Sequence, residues 1–370
     1  MIVLAAKEYC TGCGACSAVC LVHAISICQS EEDGFYRPLI AQELCIKCGQ
    51  CISVCPAIHR LSEKNFYYGK VYAAINRNQK VRNVSASGGI FAAFATEVIK
   101  RGGCAAGVLY DENWNIVHRL AIDEKELIPL LGSKYAQSDM RFIYGEIHEK
   151  LTKGKQVLFC GTPCQVMGIK RFAQEKGIEK RLMTIDLLCR GIPSLKAFHK
   201  YLEMIEKQYK KKIVRVQFKD NEKGWHNVNT RIVMEDGSQC YLPIGECTYV
   251  KGFLEHDMTV QDACFHCAYK TIDRVGDITI GDFWGLNHTR LVDDKGTSIV
   301  MINSKKGAAL WEDVKLSLEY QESTMWRVVK GNRMAFQKLP ENPVREQFWK
   351  YLKEYDYDKA LEMAGEMLKE

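Results

Sequence analysis

The stretch Cys10-Thr-Gly-Cys13-Gly-Ala-Cys16-Ser-Ala-Val-Cys20 recurs as Cys45-Ile-Lys-Cys48-Gly-Gln-Cys51-Ile-Ser-Val-Cys55-Pro56. Both copies have the spacing C-x2-C-x2-C-x3-C and the second ends on proline, which is the two-cluster ferredoxin pattern for binding 4Fe-4S clusters. Three thiolates at these short intervals bind one cluster, while the fourth cysteine binds the other. The pattern predicts one cluster on Cys10, Cys13, Cys16 and Cys55, and a second on Cys20, Cys45, Cys48 and Cys51.

Zinc ligation and disulfide bonding are the alternatives for these cysteines. Structural zinc sites use two separated pairs of ligands, which the triple C-x2-C-x2-C run does not provide. The sequence begins with Met1-Ile-Val-Leu-Ala-Ala before Lys7, too short an apolar run for a secretion signal. We therefore expect a cytoplasmic protein whose thiols, seventeen in 370 residues, serve metal binding rather than crosslinking.

Composition excludes two broad classes of function. No stretch reaches the length of a membrane span. The net charge of +6 is small for 370 residues, and the basic run at residues 207–212 is more typical of a solvated helix end than of a nucleic-acid site. We expect neither a membrane span nor nucleic-acid binding, while an oligomer remains compatible with the sequence.

The chain divides into three predicted domains. Residues 1–62 form the ferredoxin-like module, and the polar residues 60–65 form the linker out of it. Residues 63–304 alternate strands and helices, and residues 305–370 are mainly helical. The predicted class is α+β: an N-terminal ferredoxin-like two-cluster module, a mixed α/β domain and a helical C-terminal tail.

A strand, a tight turn and a helix start recur twice in the middle domain. Gln156-Val-Leu-Phe159 leads into Cys160-Gly161-Thr162-Pro163-Cys164-Gln165, where Thr162 can cap a helix, Pro163 suits its first position and Gln165 completes a capping box. The strand at residues 182–188 leads in the same way to Ser194, which caps a helix at residues 195–209. The recurrence predicts a partly parallel sheet with functional loops at the carboxyl ends of its strands.

Four further cysteines, Cys164, Cys189, Cys264 and Cys267, lie on loops next to strand or helix ends. Together they could bind a third 4Fe-4S cluster. Alternatively, Cys264 and Cys267 could hold zinc, and Cys164 at a helix N-terminus could be a free thiolate of lowered pKa. The other five cysteines are interpreted as small buried apolar residues: Cys28, Cys104, Cys160, Cys240 and Cys247.

Two polar loops are candidates for ligand contact. Ser85-Ala-Ser87-Gly88-Gly89 precedes a predicted helix, and such a turn suits a phosphate or a flavin edge, although it could equally be a simple cap. Gly132-Ser133-Lys134-Tyr135-Ala-Gln137-Ser138 is rich in donors and could equally be a solvated connection. The Rossmann fingerprint G-x-G-x-x-G does not occur.

Several of these stretches together resemble the beta subunit of the coenzyme F-420 (deazaflavin) hydrogenase/dehydrogenase family, in the bacterial form with an N-terminal dicluster ferredoxin domain. The resemblance runs from about residue 5 to residue 303. Its stretches are Ser85-Ala-Ser-Gly-Gly89, Gly132-Ser-Lys-Tyr-Ala-Gln-Ser138, Gly161-Thr-Pro-Cys-Gln165, Asp186-Leu-Leu-Cys-Arg-Gly-Ile-Pro-Ser194, Phe218-Lys-Asp-Asn-Glu-Lys-Gly-Trp225, Cys264-Phe-His-Cys267 and Gly276-Asp-Ile-Thr-Ile-Gly-Asp-Phe-Trp-Gly285.

The resemblance implies an oxidoreductase that binds FAD in addition to its clusters. It implies that Cys164, Cys189, Cys264 and Cys267 bind a third cluster near the flavin. Where the family commonly has Cys-His-Gly, this chain has Cys189-Arg190-Gly191, and the arginine could favour an anionic reduced flavin or an acidic substrate. The implied flavin contacts are Ser85, Ser87, Gly88, Gly89, Ser133, Lys134, Tyr135, Gln137, Gly161, Thr162 and Pro163.

One-electron carriers and flavin-type loops in one chain predict an enzyme, a flavin-dependent iron–sulfur reductase. A ferredoxin or another redox protein would donate single electrons to the clusters, and FAD would pass hydride to a small organic acceptor. Lys134 and Arg190 are the predicted catalytic residues, because either cation could stabilise developing negative charge. The alternatives are a subunit that oxidises the deazaflavin coenzyme and feeds a partner enzyme, and a non-catalytic electron-transfer adaptor of a larger complex.

Overall fold

The computed structural model describes residues 2–59, 69–286 and 289–368. The predicted linker at residues 60–65 and the predicted boundary after residue 62 lie outside these ranges. Within them the fold is α+β, as predicted, with the ferredoxin-like module at the N-terminus and helices at the C-terminus.

The described residues form thirteen strands. They are β1 (Ile25–Gln29), β2 (Tyr36–Ile40), β3 (Lys70–Asn76), β4 (Cys104–Tyr110), β5 (Ile116–Ala121), β6 (Val157–Gly161), β7 (Leu182–Leu187), β8 (Ile213–Asp220), β9 (Asn229–Met234), β10 (Gln239–Pro243), β11 (Ile278–Asp282), β12 (Ser298–Ile302) and β13 (Leu318–Ser323).

The same residues form fourteen α-helices, besides short 3-10 turns. The α-helices are α1 (Ala15–Ala18), α2 (Gln50–Ser53), α3 (Gln79–Asn83), α4 (Ile90–Lys100), α5 (Glu124–Leu127), α6 (Ile143–Thr152), α7 (Pro163–Glu175), α8 (Leu195–Tyr209), α9 (Thr248–Leu254), α10 (Asp262–Phe265), α11 (Lys305–Val314), α12 (Met325–Gly331), α13 (Arg345–Glu354) and α14 (Tyr357–Glu366).

The largest sheet in the described part of the chain has eight strands in the order β13-β3-β12-β11-β7-β6-β4-β5. Strands β4, β6, β7 and β11 run parallel. Strand β3 runs the same way, because both β3 and β11 are antiparallel to β12. The carboxyl ends of these five strands therefore lie at one edge of the sheet, which we call the loop edge, and the partly parallel sheet predicted from the sequence is present.

Strand β6 shows why its apolar run predicts a central strand. Every residue of β6 is buried. Val157 and Phe159 belong to one apolar core, whereas Leu158 and Cys160 belong to the core on the opposite face. A strand covered on both faces needs apolar residues at every position rather than at alternate ones.

The helices that follow β6 and β7 begin where their caps predict. Thr162 and Gln165 form the predicted capping box, and Pro163 is the first residue of α7. The Ser194 hydroxyl accepts a hydrogen bond from the Ala197 N–H at 3.2 Å at the start of α8. Each cap satisfies backbone donors that the first helical turn leaves unpaired. Both helices therefore start at the loop edge.

The ferredoxin-like module contains the antiparallel pair β1 and β2 with the short helices α1 and α2. Side chains of the large domain bond its backbone: Tyr144 Oη donates to the Cys13 carbonyl at 2.8 Å, and Gln261 Nε2 donates to the Cys10 carbonyl at 3.3 Å. Apolar residues Ala15 and Val19 of the module share a core with α6 and α7. The module is thus held against the loop edge by both polar and apolar contacts.

The region between α8 and α9 forms a separate three-stranded antiparallel sheet, β10-β9-β8. In the C-terminal segment, α14 packs on α8, where the rings of Tyr201 and Tyr357 lie 5.6 Å apart, and α13 packs on α14. The sequence pattern does not indicate β13, which pairs with β3 and completes the large sheet. The C-terminal segment therefore contributes to the main sheet in addition to its helices.

Candidate functional site

Four cysteines, which we call the inner set, line one cavity beside the loop edge: Cys164, Cys189, Cys264 and Cys267. Cys164 lies in the first turn of α7, and Cys189 follows the end of β7. Cys264 lies in α10, and Cys267 follows that helix. Three separate segments of the large domain thus bring together the four cysteines for which the sequence suggested a third cluster.

Burial and neighbouring thiols raise the pKa of three inner thiols, those of Cys164, Cys189 and Cys264. Burial raises the pKa of Cys164 to about 12, an effect that the thiols of Cys189 and Cys267 reinforce and the Thr162 hydroxyl opposes. Burial likewise raises the pKa of Cys189 to about 11. Thiols in such a site become thiolates when a cation binds them. The alternative of a Cys164 thiolate with a lowered pKa is wrong, because burial outweighs the opposing hydrogen bonds from the Thr162 hydroxyl and the Gln165 N–H.

Backbone donors point at two inner sulfurs. The Ile192 N–H lies 3.4 Å from Cys264 Sγ, and the Tyr269 N–H lies 3.4 Å from Cys267 Sγ. Such bonds stabilise negative charge on sulfur and are among the features that set the potential of iron–sulfur clusters. Within the described residues no group of three or more His, Cys, Asp or Glu side chains is arranged to hold one metal ion. In a 4Fe-4S cluster each thiolate binds a different iron atom, so the four sulfurs need not meet at one point.

The module holds the other two sets. Thiols of the middle set, Cys10, Cys13, Cys16 and Cys55, act on one another electrostatically, and burial raises the pKa of Cys13 to about 12. Cysteines of the outer set, Cys20, Cys45, Cys48 and Cys51, line a second cavity. The structure therefore groups Cys55 with the first run and Cys20 with the second, which is the exchange that the spacing predicts.

The three sets differ in exposure and lie in sequence across the protein. Cys48 of the outer set is exposed, whereas Cys164 and Cys264 of the inner set are buried. The middle set adjoins the inner set, because Cys13 and Cys164 belong to the same buried core. Tyr269 is buried between them, and burial together with the thiols of Cys164, Cys13, Cys267 and Cys55 raises its pKa.

Three cations surround the inner set. The Arg274 guanidinium forms a buried ion pair with Asp186 at 2.8 Å. Arg190 donates to both carboxylate oxygens of Asp257, and to the carbonyls of Phe253 at 2.7 Å and Leu254 at 2.6 Å. The predicted catalytic residue Arg190 therefore lines the inner cavity, and its guanidinium is hydrogen-bonded to Asp257 and to two backbone carbonyls.

Lys270 is the third cation. Its side chain is half-buried, and its ammonium donates to the Met334 carbonyl at 2.5 Å. Burial lowers the pKa of Lys270, whereas the thiols of Cys189, Cys267 and Cys264 raise it.

The turn at residues 85–89 lies between β3 and α4, at the loop edge. Ser87 Oγ is buried and has no hydrogen-bond partner among the residues that the structure describes. Gly88 lies so close to β3 and β12 that a Cβ would fall 2.5 Å from the Ala74 carbonyl oxygen and 2.9 Å from the Ser298 nitrogen. Gly89 caps α4 with a φ of 75°, and Ser85 bonds the Val81 carbonyl. The turn thus combines a fixed backbone with an unsatisfied hydroxyl.

The loop at residues 132–138 runs from this turn to the module. Gly132 lies near the Val84 carbonyl: a Cβ added to Gly132 would be 3.7 Å from that oxygen. The backbone of Ser133 forms a bridge with Phe218 of β8. Lys134 donates to three backbone carbonyls at the start of this loop and just before it, those of Pro129, Leu131 and Gly132, at 3.0, 2.6 and 3.3 Å. Burial lowers the pKa of Lys134 to about 7. The Lys134 ammonium is thus bonded to nearby backbone.

The remaining predicted contacts divide between two places. The Tyr135 hydroxyl is buried and its pKa is raised by burial. Gln137 bonds the backbone of the module rather than facing the turn at residues 85–89. Gly161, Thr162 and Pro163 form the turn that carries Cys164, and Thr162 Oγ1 lies 3.2 Å from Cys164 Sγ. These three residues therefore border the inner set.

Sequence reasoning missed a buried ion pair next to these loops. Lys219, with a left-handed φ of 55°, pairs with the Asp282 carboxylate at the end of β11. Its ammonium lies 5.9 Å from the ring centres of both Trp225 and Trp284, and burial lowers its pKa to about 8. The two family-like stretches at residues 218–225 and 276–285 contain this pair, but no local pattern links residues 63 positions apart.

A two-cluster module docked beside a further set of four cysteines, two of them buried, defines an iron–sulfur electron-transfer protein. The family model for the C terminus of the beta subunit of coenzyme F420 hydrogenase/dehydrogenase matches residues 154–325, and a 4Fe-4S dicluster domain matches residues 9–58. Residues 154–325 are therefore a C-terminal domain of the coenzyme F420 hydrogenase/dehydrogenase beta-subunit family, and an N-terminal dicluster domain precedes them, as the resemblance implies.

Known relatives agree with this assignment. The chain is 23% identical over 353 residues to the F subunit of the F(420)H(2) dehydrogenase of Methanosarcina mazei, a match that covers 90% of this chain and 92% of the relative. A chain of the F420-reducing NiFe hydrogenase complex from Methanosarcina barkeri, solved as a xenon derivative, shares the fold with a TM-score of 0.53. That match is 16% identical and covers 75% of this chain and 92% of the other. None of the described helices has the length and apolar composition needed to cross a bilayer.

Proposed function

We propose that this chain is an iron–sulfur flavoprotein oxidoreductase that carries single electrons between an external redox protein and FAD, and from there to a small organic acceptor. The observation that supports it is the succession of three four-cysteine sets from the exposed Cys48 to the buried Cys264. Cluster-bound thiolates in such a succession would let an electron enter at the surface and reach a site shielded from water.

The residues present fit three 4Fe-4S clusters. The outer, middle and inner sets each supply four thiols and no competing hard ligand, which is the donor set that such clusters require. Bound clusters would accept and release single electrons. The chain itself positions them: α1 and α2 pack together and carry cysteines of both module sets, while α7 carries Cys164 next to the middle set.

The turn at residues 85–89 supports FAD as the two-electron cofactor. The unpartnered, buried Ser87 hydroxyl lies in the turn before α4, a helix long enough for its N-terminus to favour an anion. Gly132, the first residue of the loop at residues 132–138, lies beside the carbonyl of Val84, the residue just before this turn. Bound FAD would supply hydride chemistry, and Ser85, Ser87, Gly88, Gly89, Ser133, Lys134 and Tyr135 would form its walls.

The predicted catalytic cations would act in different ways. Lys134 has a pKa lowered to about 7 by burial, so its proton can move near neutral pH. Arg190 is held by Asp257 and two carbonyls and would act through its fixed charge. We therefore propose Lys134 as the proton-holding group and Arg190 as an electrostatic one.

A second candidate function is electron flow in the opposite direction, from the reduced deazaflavin coenzyme to a partner enzyme. The observation in its favour is the relative that matches over 90% of the chain and is named as part of an F(420)H(2) dehydrogenase. The same cysteine sets would then deliver electrons outward, through the exposed outer set.

Anaerobic purification with iron, sulfide and flavin analysis tests the proposal. We expect about twelve irons, four for each cluster, and one FAD per chain. Stopped-flow reduction of the bound flavin by reduced ferredoxin, compared with reduced deazaflavin, separates the two directions. A protein with about eight irons and no flavin would refute the oxidoreductase proposal while leaving the dicluster module intact.

A further inference from the structure

Lys270 is the one cation beside the inner set that has no carboxylate partner among the described residues. Arg274 is paired with Asp186, and Arg190 is paired with Asp257. The Lys270 ammonium instead bonds a neutral acceptor, the Met334 carbonyl. No carboxylate neutralises the positive charge of Lys270, so this charge can act on a group bound in the cavity.

Lys270 lies beside the inner cysteines, so its charge acts on their sulfurs. The residue lines the same cavity as the four cysteines and lies three positions after Cys267. The thiols of Cys189, Cys267 and Cys264 all act on it electrostatically. The carbonyl of Met334, in a 3-10 turn of the C-terminal segment, fixes the ammonium in place.

We propose that Lys270 is a positioning residue that raises the reduction potential of the inner cluster, so that this site is the electron acceptor for the middle set. The inference rests on the proposed function, because it requires a cluster on the inner set. A cluster held by four thiolates is anionic and gains one more negative charge when it is reduced. A fixed positive charge beside it favours the reduced form, and partial burial reduces the screening of that charge by water.

The electrostatic surroundings of the three sets support this ordering. Arg37, the cation that acts on Cys10 of the middle set, donates to both carboxylate oxygens of Asp33 at 2.7 Å and is thereby neutralised. Lys47 lines the outer cavity, but it is exposed, so water screens its charge. Lys270 of the inner set is half-buried and has no carboxylate partner among the described residues. An electron that enters at the exposed outer set would therefore move towards lower free energy as it goes inward.

Lys270→Gln tests the proposal, since glutamine removes the charge but keeps an N–H donor for the Met334 carbonyl. The measurement is an anaerobic redox titration of the full-length holoprotein, followed by EPR. The inner-cluster signal is identified as the one that Cys264→Ala abolishes. We expect its midpoint potential to become more negative in Lys270→Gln and in Lys270→Met, and to return to the wild-type value in Lys270→Arg.

Lys306→Met is the matched control. The Lys306 ammonium also donates to backbone carbonyls, those of Glu179 and Leu182, but at the opposite end of β7 from Cys189. Its loss should leave every cluster potential unchanged. The proposal is refuted if Lys270→Gln keeps full iron and an unshifted inner-cluster midpoint.

The iron content separates this result from a failure of the proposed function. If the wild-type chain binds about eight irons and shows no third signal, no inner cluster exists and both proposals fall. If the wild type binds about twelve irons and the Lys270 variants keep the wild-type potential of the inner cluster, the inner cluster is supported and the role of Lys270 is refuted.

Discussion

Gln137 and Tyr36, 101 residues apart, join the ferredoxin-like module to the large domain: Gln137 Oε1 accepts a hydrogen bond from the Tyr36 N–H at 2.7 Å. The other end of the amide, Nε2, donates to the Thr11 carbonyl at 3.2 Å. Both ends of one buried side chain are thus bonded to the module backbone. This contact explains why Gln137, which the sequence resemblance assigns to a flavin pocket, is buried at the domain junction.

Replacing Gln137 by leucine should loosen the docked module. The substitution leaves the buried Tyr36 N–H and Thr11 carbonyl without partners, at a cost of roughly 1–3 kcal/mol for each unpaired group. We expect a lower midpoint in urea unfolding monitored by circular dichroism. Gln321→Leu, at an exposed position of β13, is the control and should change the midpoint little. Equal midpoints in the two variants would show that the amide does not hold the module.

Removing one inner cysteine should remove one cluster only. In Cys264→Ala the inner set keeps three thiols, and we expect iron to fall from about twelve to about eight per chain, with the dicluster signals unchanged. The control is Cys104→Ala, because Cys104 is buried in β4 and belongs to none of the three sets. Iron and sulfide assays on anaerobically purified protein make the comparison. An iron content unaffected by Cys264→Ala would contradict the inner cluster.

His118 should make stability sensitive to mild acid. Its ring is fully buried and stacked on Phe159 at 5.2 Å. Burial lowers its pKa from 6.5 to about 4, and outweighs the opposing effects of the Cys160 backbone and the Asp139 carboxylate. Between these two pH values the unfolded chain binds the proton more readily than the folded chain. Folding stability is therefore lost as the pH falls from 6.5 towards 4, by roughly 3 kcal/mol in all.

The measurement for His118 is the thermal unfolding midpoint at about pH 7.5 and about pH 5, on either side of the ordinary histidine pKa, at one scan rate. The wild type should lose stability between these values, and His118→Leu should lose less. His59, which is exposed, supplies the control, since His59→Leu should keep the wild-type pH dependence. If the unfolding midpoint falls equally with pH in the wild type, His118→Leu and His59→Leu, His118 is not the source of the pH dependence.

Local sequence signals predict the elements whose determinants are local. The capping box of Thr162 and Gln165 and the Ser194 cap locate the starts of α7 and α8 because each acts within one helical turn. The spacing of the first two cysteine runs likewise predicts the middle and outer sets, because most of their ligands come from one short stretch each. Such signals depend on neighbours along the chain.

The features that the sequence does not indicate depend on distant partners. Strand β13 is a half-exposed edge strand with a polar sequence, and its partner β3 lies more than 240 residues earlier. Lys270 looks like an ordinary surface lysine until Cys189, from another segment, is placed beside it. Gln137 and Tyr36 meet only when the module docks. In each case tertiary packing decides the role, and no periodicity records it.

The ion pair of Arg190 and Asp257 should matter for stability as much as for redox chemistry. Both side chains are largely buried, and Arg190 also bonds two carbonyls at the end of α9. Asp257→Asn leaves a buried guanidinium without its counter-charge, at a cost of roughly 3 kcal/mol. Thermal unfolding should show this cost, and the double variant Arg190→Gln with Asp257→Asn should be less destabilised than the sum of the single variants. Strict additivity would show that the two side chains act independently.

Gly88→Ala should displace the turn on which the proposed flavin site depends. A Cβ at this position would lie 2.5 Å from the Ala74 carbonyl oxygen and 2.9 Å from the Ser298 nitrogen, and both are backbone atoms of the central sheet that cannot rotate away. We expect a destabilisation of about 1–3 kcal/mol in urea unfolding, together with loss of bound FAD as measured by flavin absorbance per chain.

Gly145→Ala is the matched control for Gly88→Ala. Gly145 lies in α6, where a Cβ would have open space around it, so the alanine should stabilise the protein by about 0.5–1 kcal/mol. If Gly88→Ala lowers stability but retains FAD, the turn is structural and the flavin lies elsewhere; if it changes neither, the turn is not fixed as the structure describes it.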